Sequence, residues 1–571
     1  MRTPGPATRR NPRGDRPQSK EPAYDLGMDV VIVGGVAGGM SAAARLRRLD
    51  EGARITVVER SGHVSFANCG LPYHVGGVIE RRGALLLQTP KGLAERFRLD
   101  VRVGTEAVRI DREARVVHLR TLATGEETTL AYDALVLSPG ARPVRPPIPG
   151  IERALSLRNV EDTDALVAAV GGARTAVVIG GGFIGLELAE NLVHLGIATA
   201  VVEATGQVMA PLDPEMVEPV QRRIRAKGVD LRLGAAVTAI GERDVTLADG
   251  STLPADLVVA SIGVRPETSL ASEAGLALGA RGGIAIDEKF RTSDPHIYAV
   301  GDAVEKRDAL DDSDALIPLA QTANRQGRFV ADVIAGRPGV DRGVFGTAIV
   351  GVFGLQVATV GWNEKRLRAA GRPYIAVHTH PGSHAGYYPG ATGMALKLLV
   401  DPETDRILGA QGVGHAGVDK RIDVIATAMA GALTASDLAD LELAYAPQFS
   451  SAKDPVNMLG YVAMNTRSGL TPSIQWHELA GAMAAGAVLV DVRSAAEHKR
   501  GAIPGSVLLP VDDLRAHLDE IPRDMPIVVH CAVGVRGHTA TRILRQHGFD
   551  DVRNLDGGYT TWEAGVATLP G

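Results

Sequence analysis

A chain of 571 residues is several times the length of one domain, so about three to four hydrophobic cores are expected. With 45% apolar and 22% charged residues and a formal net charge of −5, the composition excludes an electrostatic drive toward nucleic acid or anionic membrane. Cys69 and Cys531 are the only cysteines, which excludes a disulfide framework, favours a reducing, cytoplasmic setting and asks for a separate explanation of each thiol.

The first 27 residues hold five prolines and six Arg or Lys but no apolar run, so neither a secretory core nor a membrane span is encoded there. They read as a disordered extension. Met28 then opens directly onto an apolar strand over 29–33 that stops at Gly34-Gly35, followed by a helix over roughly 38–50 and a second apolar run, Ile55 to Val58, ending in Glu59. This strand–turn–helix–strand unit carries Gly34-x-Val36-x-x-Gly39, with Glu59 twenty residues after Gly39. The spacing fits a dinucleotide fingerprint, in which the helix N-terminus faces a pyrophosphate and the acid accepts ribose hydroxyls. Val36 departs from it, standing where a glycine would let the phosphates come closer.

Ten residues after Glu59 comes Cys69, in Ser65-Phe66-Ala67-Asn68-Cys69-Gly70-Leu71-Pro72-Tyr73. It follows a turn rather than lying inside an apolar run, which sets it apart from the core thiols that replace small hydrophobes. Strand-rich stretches follow at 101–104, 107–111, 115–120 and 131–137.

The strand–turn–helix–strand pattern recurs at 176–203, now with the intact Gly180-x-Gly182-x-x-Gly185 and with Glu203 eighteen residues on. A carboxylate there accepts from a free ribose 2′-OH and repels a 2′-phosphate, which favours NADH over NADPH. Two fingerprints imply two dinucleotides. Strands at 232–248 and 257–262 follow, and then the segment from Thr292 to Asp302. From Gly343 to Asn465 the pattern changes to an α+β domain with strands Ala348 to Val352 and Ala395 to Leu399 and an Ala-rich helix near 421–433. Asn465 to Pro472 reads as a linker. A final α/β domain has a helix from Trp476 to Ala485, a strand from Ala487 to Val490, and a strand Ile527 to Val529 that ends at His530-Cys531. His538 reads as a loop residue, and no cluster has metal-ligand spacing.

The Cys69 segment, the two glycine turns and Thr292–Asp302 together resemble the single-cysteine branch of the pyridine nucleotide-disulfide reductases, over roughly residues 28–465. That branch includes coenzyme A-disulfide reductase, NADH peroxidase and NADH oxidase, and Ser-Phe-Ala-Asn-Cys-Gly is most similar to the CoA-disulfide subgroup. The resemblance implies FAD held by Gly34, Gly39, Glu59 and Asp302, and NADH, or NADPH, held by Gly180, Gly182, Gly185 and Glu203. It makes Cys69 the redox thiol, with CoA as substrate or bound thiol near Arg48, Ser65 and Asn68. A homodimer is implied as well, in which Tyr387 and Tyr445 face the partner's Cys69. Phe449, Gln321-Thr322 and His415 depart from the family pattern and leave the thiol substrate open.

Residues 472–565 resemble single-domain rhodaneses through Asp491-Val492-Arg493, Gly501 to Gly505, Cys531-Ala532-Val533-Gly534-Val535-Arg536 and Asp556-Gly557-Gly558-Tyr559. The six residues from Cys531 to Arg536 form a loop whose N–H groups can converge on a thiolate or persulfide, with a helix N-terminus beyond it. Arg536 closes that loop.

The expected fold class is therefore α/β, with two Rossmann-like dinucleotide-binding domains (FAD and NAD), an α+β dimerisation domain and a C-terminal rhodanese α/β domain. The expected boundaries are 28–150 and 271–340 for the two parts of the FAD-binding domain, 151–270 for the NAD-binding domain, 341–465 for dimerisation and 472–571 for the rhodanese. The function implied is NADH-dependent reduction of CoA disulfide, CoA persulfide or polysulfide, coupled to sulfur transfer at Cys531. Two other readings stay open: an NADH oxidase or peroxidase cycling Cys69 through sulfenic acid, and a redox-responsive sulfur carrier. Small-molecule thiols, disulfides and persulfides are the expected partners, with no nucleic acid, membrane or metal.

Overall fold

The computed structural model describes residues 27–338 and 341–569. The extension expected over 1–27 therefore lies, except for Gly27, outside the described residues.

The first sheet is parallel, with strand order Ile297–Ala299, Ala134–Leu137, Asp29–Val33, Arg54–Val58, Asp100–Arg102. Buried Val30, Val31 and Ile32 make Asp29–Val33 the central strand, covered on both faces as a parallel sheet requires. The chain leaves it through Gly34 into the helix Ala37–Leu49, so the glycine turn sits where the strand order reverses, the place at which open α/β sheets bind ligands. The strand Ile297–Ala299 comes from a segment more than 150 residues further on, so this sheet is discontinuous in sequence. Behind it the helix Ala320–Ile334 crosses Ala37–Leu49 at close range. A Cβ on Gly327 would lie 2.1 Å from the Gly38 carbonyl oxygen, so only glycine permits that crossing.

The second sheet repeats the arrangement, with order Asp230–Leu233, Ala198–Glu203, Thr175–Ile179, Leu257–Ala260 and the helix Phe183–His194 after its glycine turn. A three-stranded meander accompanies each sheet. The run expected over 232–248 is divided: Gly234 (φ +62°) and the turn at Gly241 separate Asp230–Leu233, Val237–Ile240 and Asp244–Leu247. The 131–137 run is likewise two strands, Glu127–Ala131 in the meander and Ala134–Leu137 in the parallel sheet.

A five-stranded antiparallel sheet follows, in the order Ala348–Val352, Leu355–Gly361, Ile407–Gly414, Met394–Val400, Ile375–Thr379, with the helices Val418–Ala430 and Pro455–Arg467 packed with it in one hydrophobic core. The last sheet is parallel: Ser473–Ile474, Val552–Leu555, Ile527–His530, Val488–Asp491, Val507–Leu508.

The linker expected at Asn465–Pro472 is shorter and more tightly held than its composition implied. The helix Pro455–Arg467 runs through Asn465 and ends at Gly469 (φ +69°), a glycine C-terminal stop. Thr471 is buried, and its hydroxyl meets His538 Nδ1 at 2.6 Å. His538 itself belongs to the helix Val535–Gln546, which corrects its reading as a loop residue.

Candidate active sites

The two glycine turns share one geometry. Gly34 (φ +104°) and Gly180 (φ +107°) adopt a left-handed backbone, and a Cβ on either would meet the carbonyl oxygen of Ser138 or Ser261 at 2.0 or 2.4 Å. Gly39 and Gly185 are required too, because a Cβ there would lie 1.9 Å from the Gly34 oxygen or 2.1 Å from the Gly180 oxygen. Glu59 accepts from Gly35 N at 2.7 Å and Ser61 N at 2.8 Å; Glu203 accepts from Gly181 N and Thr205 N, each at 2.8 Å.

The middle position separates them. Around Gly182 a Cβ would meet nothing within 4 Å, so the fold does not demand glycine there, and close approach of a ligand remains as the reason for it. Its counterpart Val36 instead packs against the apolar cluster containing Phe66 and Leu71.

Beside the first turn stand charges the protein does not pair. Asp302 Oδ1 is buried without a hydrogen-bond partner among the described residues, and burial pushes this carboxyl up against the opposing pull of Lys306 and Arg158. The Arg158 guanidinium makes no hydrogen bond or ion pair among the described residues; it feels Asp302 and Glu59 across the gap, and burial holds it below its ordinary range. Burial likewise brings Lys306 down to about 8. An orphaned carboxylate oxygen and an unpaired guanidinium facing a glycine-lined turn fit the ribityl and diphosphate groups of a flavin dinucleotide.

Cys69 lies in the single turn Asn68–Gly70, at the start of the helix Leu71–Val75, and is exposed. Ser65 before it has φ +47°, the strained conformation that functional sites retain. Asn68 Oδ1 is buried with no hydrogen-bond partner among the described residues. The helix after Cys69 packs on the Phe183–His194 helix of the other dinucleotide unit, and Tyr73 donates to Glu187 Oε1 at 3.0 Å. Cys69 thus sits on the seam between the two units. Partial burial, then the carboxylates of Glu187 and Asp302, push its thiol pKa up. Arg48 lies in the last turn of its helix, stacked over Phe97 at 5.2 Å, far along the axis from the glycine turn.

Tyr387 and Tyr445, 58 residues apart, are brought together with their hydroxyls at 2.8 Å. They are 76% and 48% exposed on the antiparallel domain, beside exposed Phe449.

Cys531 is buried, and Gly534 N donates to its sulfur at 3.1 Å. Gly534 (φ +101°) opens the helix Val535–Gln546, whose axis adds favourable field at the sulfur. Arg536 makes a bidentate pair with Glu497 at 2.7 and 2.6 Å and also feels the Cys531 sulfur. Before the loop, His530 is fully buried and driven down to about 4, so it stands neutral at the strand end.

Among the described residues the only acid group with metal-like spacing is Asp213, Glu215 and Glu364. The Lys397 ammonium fills it, ion-paired to all three. Reading the sequence missed that network, along with Arg158, Glu187 and Glu497. Of these only Glu187 carried a usable signal, a carboxylate in the second turn of a helix that follows a dinucleotide turn.

The sequence pattern of the pyridine nucleotide-disulphide oxidoreductase family matches residues 28–327, that of its dimerisation domain 347–455, and that of the rhodanese-like domain 475–565. The coenzyme A disulfide reductase of Staphylococcus aureus (strain JH9) is 35% identical over 439 residues, 76% of this chain and 99% of that protein. The crystal structure of reduced Bacillus anthracis CoADR-RHD superposes with a TM-score of 0.93 at 48% identity, covering 95% of this chain and 98% of that one. A NAD-dependent persulfide reductase from A. fulgidus superposes with a TM-score of 0.87 at 41% identity, covering 94% and 100%. No helix among the described residues is long and apolar enough to cross a membrane. The chain belongs to the pyridine nucleotide-disulphide oxidoreductases, with the family's dimerisation domain and a C-terminal rhodanese-like domain.

Proposed function

We propose that this protein is an NADH-dependent reductase of CoA disulfide and CoA persulfide that acts through Cys69, joined to a sulfurtransferase that acts through Cys531. The observation that carries the reading is the placement of the chain's two cysteines. One is exposed on the seam between two dinucleotide units, with no second thiol to resolve a mixed disulfide; the other lies in a rhodanese loop.

Cys69 attacks one sulfur of R–S–S–R′, forming Cys69–S–S–R and releasing R′S⁻, which takes up a proton. Two electrons from NADH then split the mixed disulfide, so that R–S–S–R′ + NADH + H⁺ gives RSH + R′SH + NAD⁺; a persulfide R–S–SH gives RSH and H₂S. A bound flavin would supply the two-electron relay between nicotinamide and disulfide. Gly34, Gly39, Glu59, Asp302 and Arg158 would hold it, and Gly180, Gly182, Gly185 and Glu203 would hold NADH. Ser65 and Asn68, beside Cys69, and Arg48, at the far end of its helix, would contact the thiol substrate. In a homodimer the Tyr387–Tyr445 pair completes the site of the other subunit and donates the leaving thiolate's proton. Cys531 takes a sulfane sulfur as Cys531–S–SH and passes it to RS⁻; Gly534 N and Arg536 stabilise the anionic sulfur.

The test is anaerobic NADH oxidation by the flavin-loaded protein with CoA disulfide, CoA persulfide and hydrogen peroxide in parallel. The CoA substrates are expected to exceed peroxide by about tenfold or more in kcat/KM; a preference for peroxide would transfer the chain to the oxidase and peroxidase reading. Glu203→Ala is expected to raise KM for NADH by about tenfold, the loss of one charged hydrogen bond, and to narrow the NADH-to-NADPH ratio of kcat/KM. An unchanged ratio would remove Glu203 from ribose recognition.

A further inference from the structure

The reductase half meets the rhodanese half through Gln475, Trp476 and the segment from Asp556 along the helix Gly558–Val566, and that helix lies directly behind the Cys531 loop. The loop's first two carbonyls are capped from the helix Gly558–Val566: Tyr559 N donates to Cys531 O at 2.8 Å and Thr560 N to Ala532 O at 3.0 Å. Gly557 (φ +65°) and Gly558 (φ +63°), both left-handed, turn the chain into that helix. The turn is pressed from both sides. A Cβ on Gly558 would lie 2.6 Å from Cys531 O, and one on Gly557 would lie 2.8 Å from the Cβ of His378 in the antiparallel domain.

Asp556, just before the turn, is buried, and its carboxylate has no partner from its own helix or loop. It accepts from His378 N at 3.0 Å, from His378 Nδ1 at 2.6 Å and from Gln475 Nε2 at 3.3 Å. His378 is fixed in turn by Glu215 of the second dinucleotide unit, which accepts from Nε2 at 3.0 Å. With a carboxylate at each ring nitrogen, the buried imidazole is doubly protonated; Asp556 and Glu215 outweigh burial and push it up to about 9. Two residues on, His380 Nε2 meets Thr561 Oγ1 at 2.7 Å, a second clamp on the helix that caps the loop.

We propose that His378 is a positioning residue for the sulfurtransferase site: through Asp556 it sets the Gly557–Thr560 turn on which the Cys531 loop rests, so the docked reductase completes the rhodanese. This rests on the reading of Cys531 as the sulfur-transferring thiol. Without the His378 Nδ1–Asp556 bond the turn relaxes away from Cys531 O and Ala532 O, and the loop N–H aimed at the sulfur loses its backing.

The two ring nitrogens can be separated. The backbone N–H of residue 378 still donates to Asp556 in every variant, so the variants separate the side-chain bonds. Asparagine places a donor near Nδ1 and keeps the side-chain bond to Asp556, glutamine places one near Nε2 and keeps only the bond to Glu215, and leucine keeps neither side-chain bond. In the full-length, flavin-loaded protein, sulfur transfer from thiosulfate to cyanide reports Cys531, and NADH reduction of CoA disulfide reports Cys69. His378→Gln and His378→Leu are expected to lower the sulfur-transfer kcat about tenfold with little change in KM for thiosulfate, while His378→Asn stays within about twofold of wild type. CoA disulfide reduction is expected to stay within about twofold in all three. Should His378→Leu not give soluble protein, Asp556→Leu in its place is expected to show the same selective loss. Equal sulfur transfer in all variants overturns the proposal, as does a loss in Asn equal to that in Leu, which would make His378 only a structural part of the interface. Absence of sulfur transfer from wild type toward every sulfane donor instead defeats the sulfurtransferase reading, and the proposal falls with it.

Discussion

Cys69→Ser is expected to reduce NADH-driven cleavage of CoA disulfide by about 10³-fold or more, while NADH still bleaches the bound flavin and sulfur transfer at Cys531 continues. The size follows from chemistry. A serine hydroxyl does not attack a disulfide sulfur at neutral pH, and the chain has no second thiol near the seam to take over. The surroundings of Cys69 add a further, signed expectation. Partial burial and the carboxylates of Glu187 and Asp302 disfavour the thiolate, so alkylation of Cys69 in a Cys531→Ser background should rise with pH through a midpoint above the ordinary thiol value of about 8.5. Glu187→Gln keeps a polar partner for the Tyr73 hydroxyl and removes one of the two negative charges, so it should move that midpoint down and speed alkylation at pH 7. A midpoint that does not move would mean that the Glu187 carboxylate does not reach the sulfur. Cys69→Ser protein that still consumes CoA disulfide at more than about a tenth of the wild-type rate would remove Cys69 from the reaction.

What could be read in the sequence was whatever local chemistry constrains. Gly34, Gly39, Gly180 and Gly185 each answer to a carbonyl about 2 Å from where a Cβ would stand, and such steric demands leave a pattern at fixed spacing. The same holds for the Cys531 loop, where Gly534 takes a left-handed φ and offers its N–H to the sulfur. The antiparallel domain was legible as a change of pattern, though its strand order was not. Unreadable were the groups whose partners arrive from far along the chain. Lys397 stands in the strand Met394–Val400, where a lone cation among aliphatic residues looks like an ordinary outward position. Its partners Glu215 and Glu364 are 182 and 33 residues away, and His378 meets Asp556 across 178. Arg158 was silent for another reason: its partner among the described residues is a gap, and a gap has no sequence. The linker was misjudged because composition reports Ser, Gly and Thr but not that Arg542 donates to Leu470 O at 2.7 Å.

Lys397→Met is expected to be the most destabilising single change in the chain, by about 3–5 kcal/mol, the cost of leaving buried charges without their counterion. Lys397 has 0% exposure, and its ammonium is paired with Asp213, Glu215 and Glu364. Glu215, Glu364 and Lys397 hold one another charged: Glu215 is driven far below the ordinary carboxylate range, Glu364 below it as well and the ammonium well above its own, in each case by Coulombic attraction that overcomes burial. Methionine fills the space and leaves three acids facing one another. Because Trp476 Nε1 donates to Glu215 at 3.3 Å and His378 joins Glu215 to Asp556, the loss should appear first as undocking of the rhodanese domain, measured as faster proteolysis between Arg467 and Ser473 and a lower first thermal transition. His378 gives the interface its pH dependence. Its folded pKa of about 9 exceeds the unfolded value of about 6.5, so its contribution is complete below pH 6.5 and is lost as pH rises through 9. Glu215 works in the opposite sense, its contribution present above about pH 4.5 and lost in acid. His380 at the same interface, pushed down to about 3 by burial and then by His378, also works in the opposite sense, its contribution present above about pH 6.5 and lost as pH falls below it, so the first transition should be highest near pH 6.5. Replacing Lys397, Glu215 and Glu364 together by Met, Gln and Gln should restore much of what Lys397→Met alone removes, since the cost lies in unpaired charge rather than in lost attraction. A triple variant no more stable than Lys397→Met would show instead that the ion pairs themselves hold the two halves together.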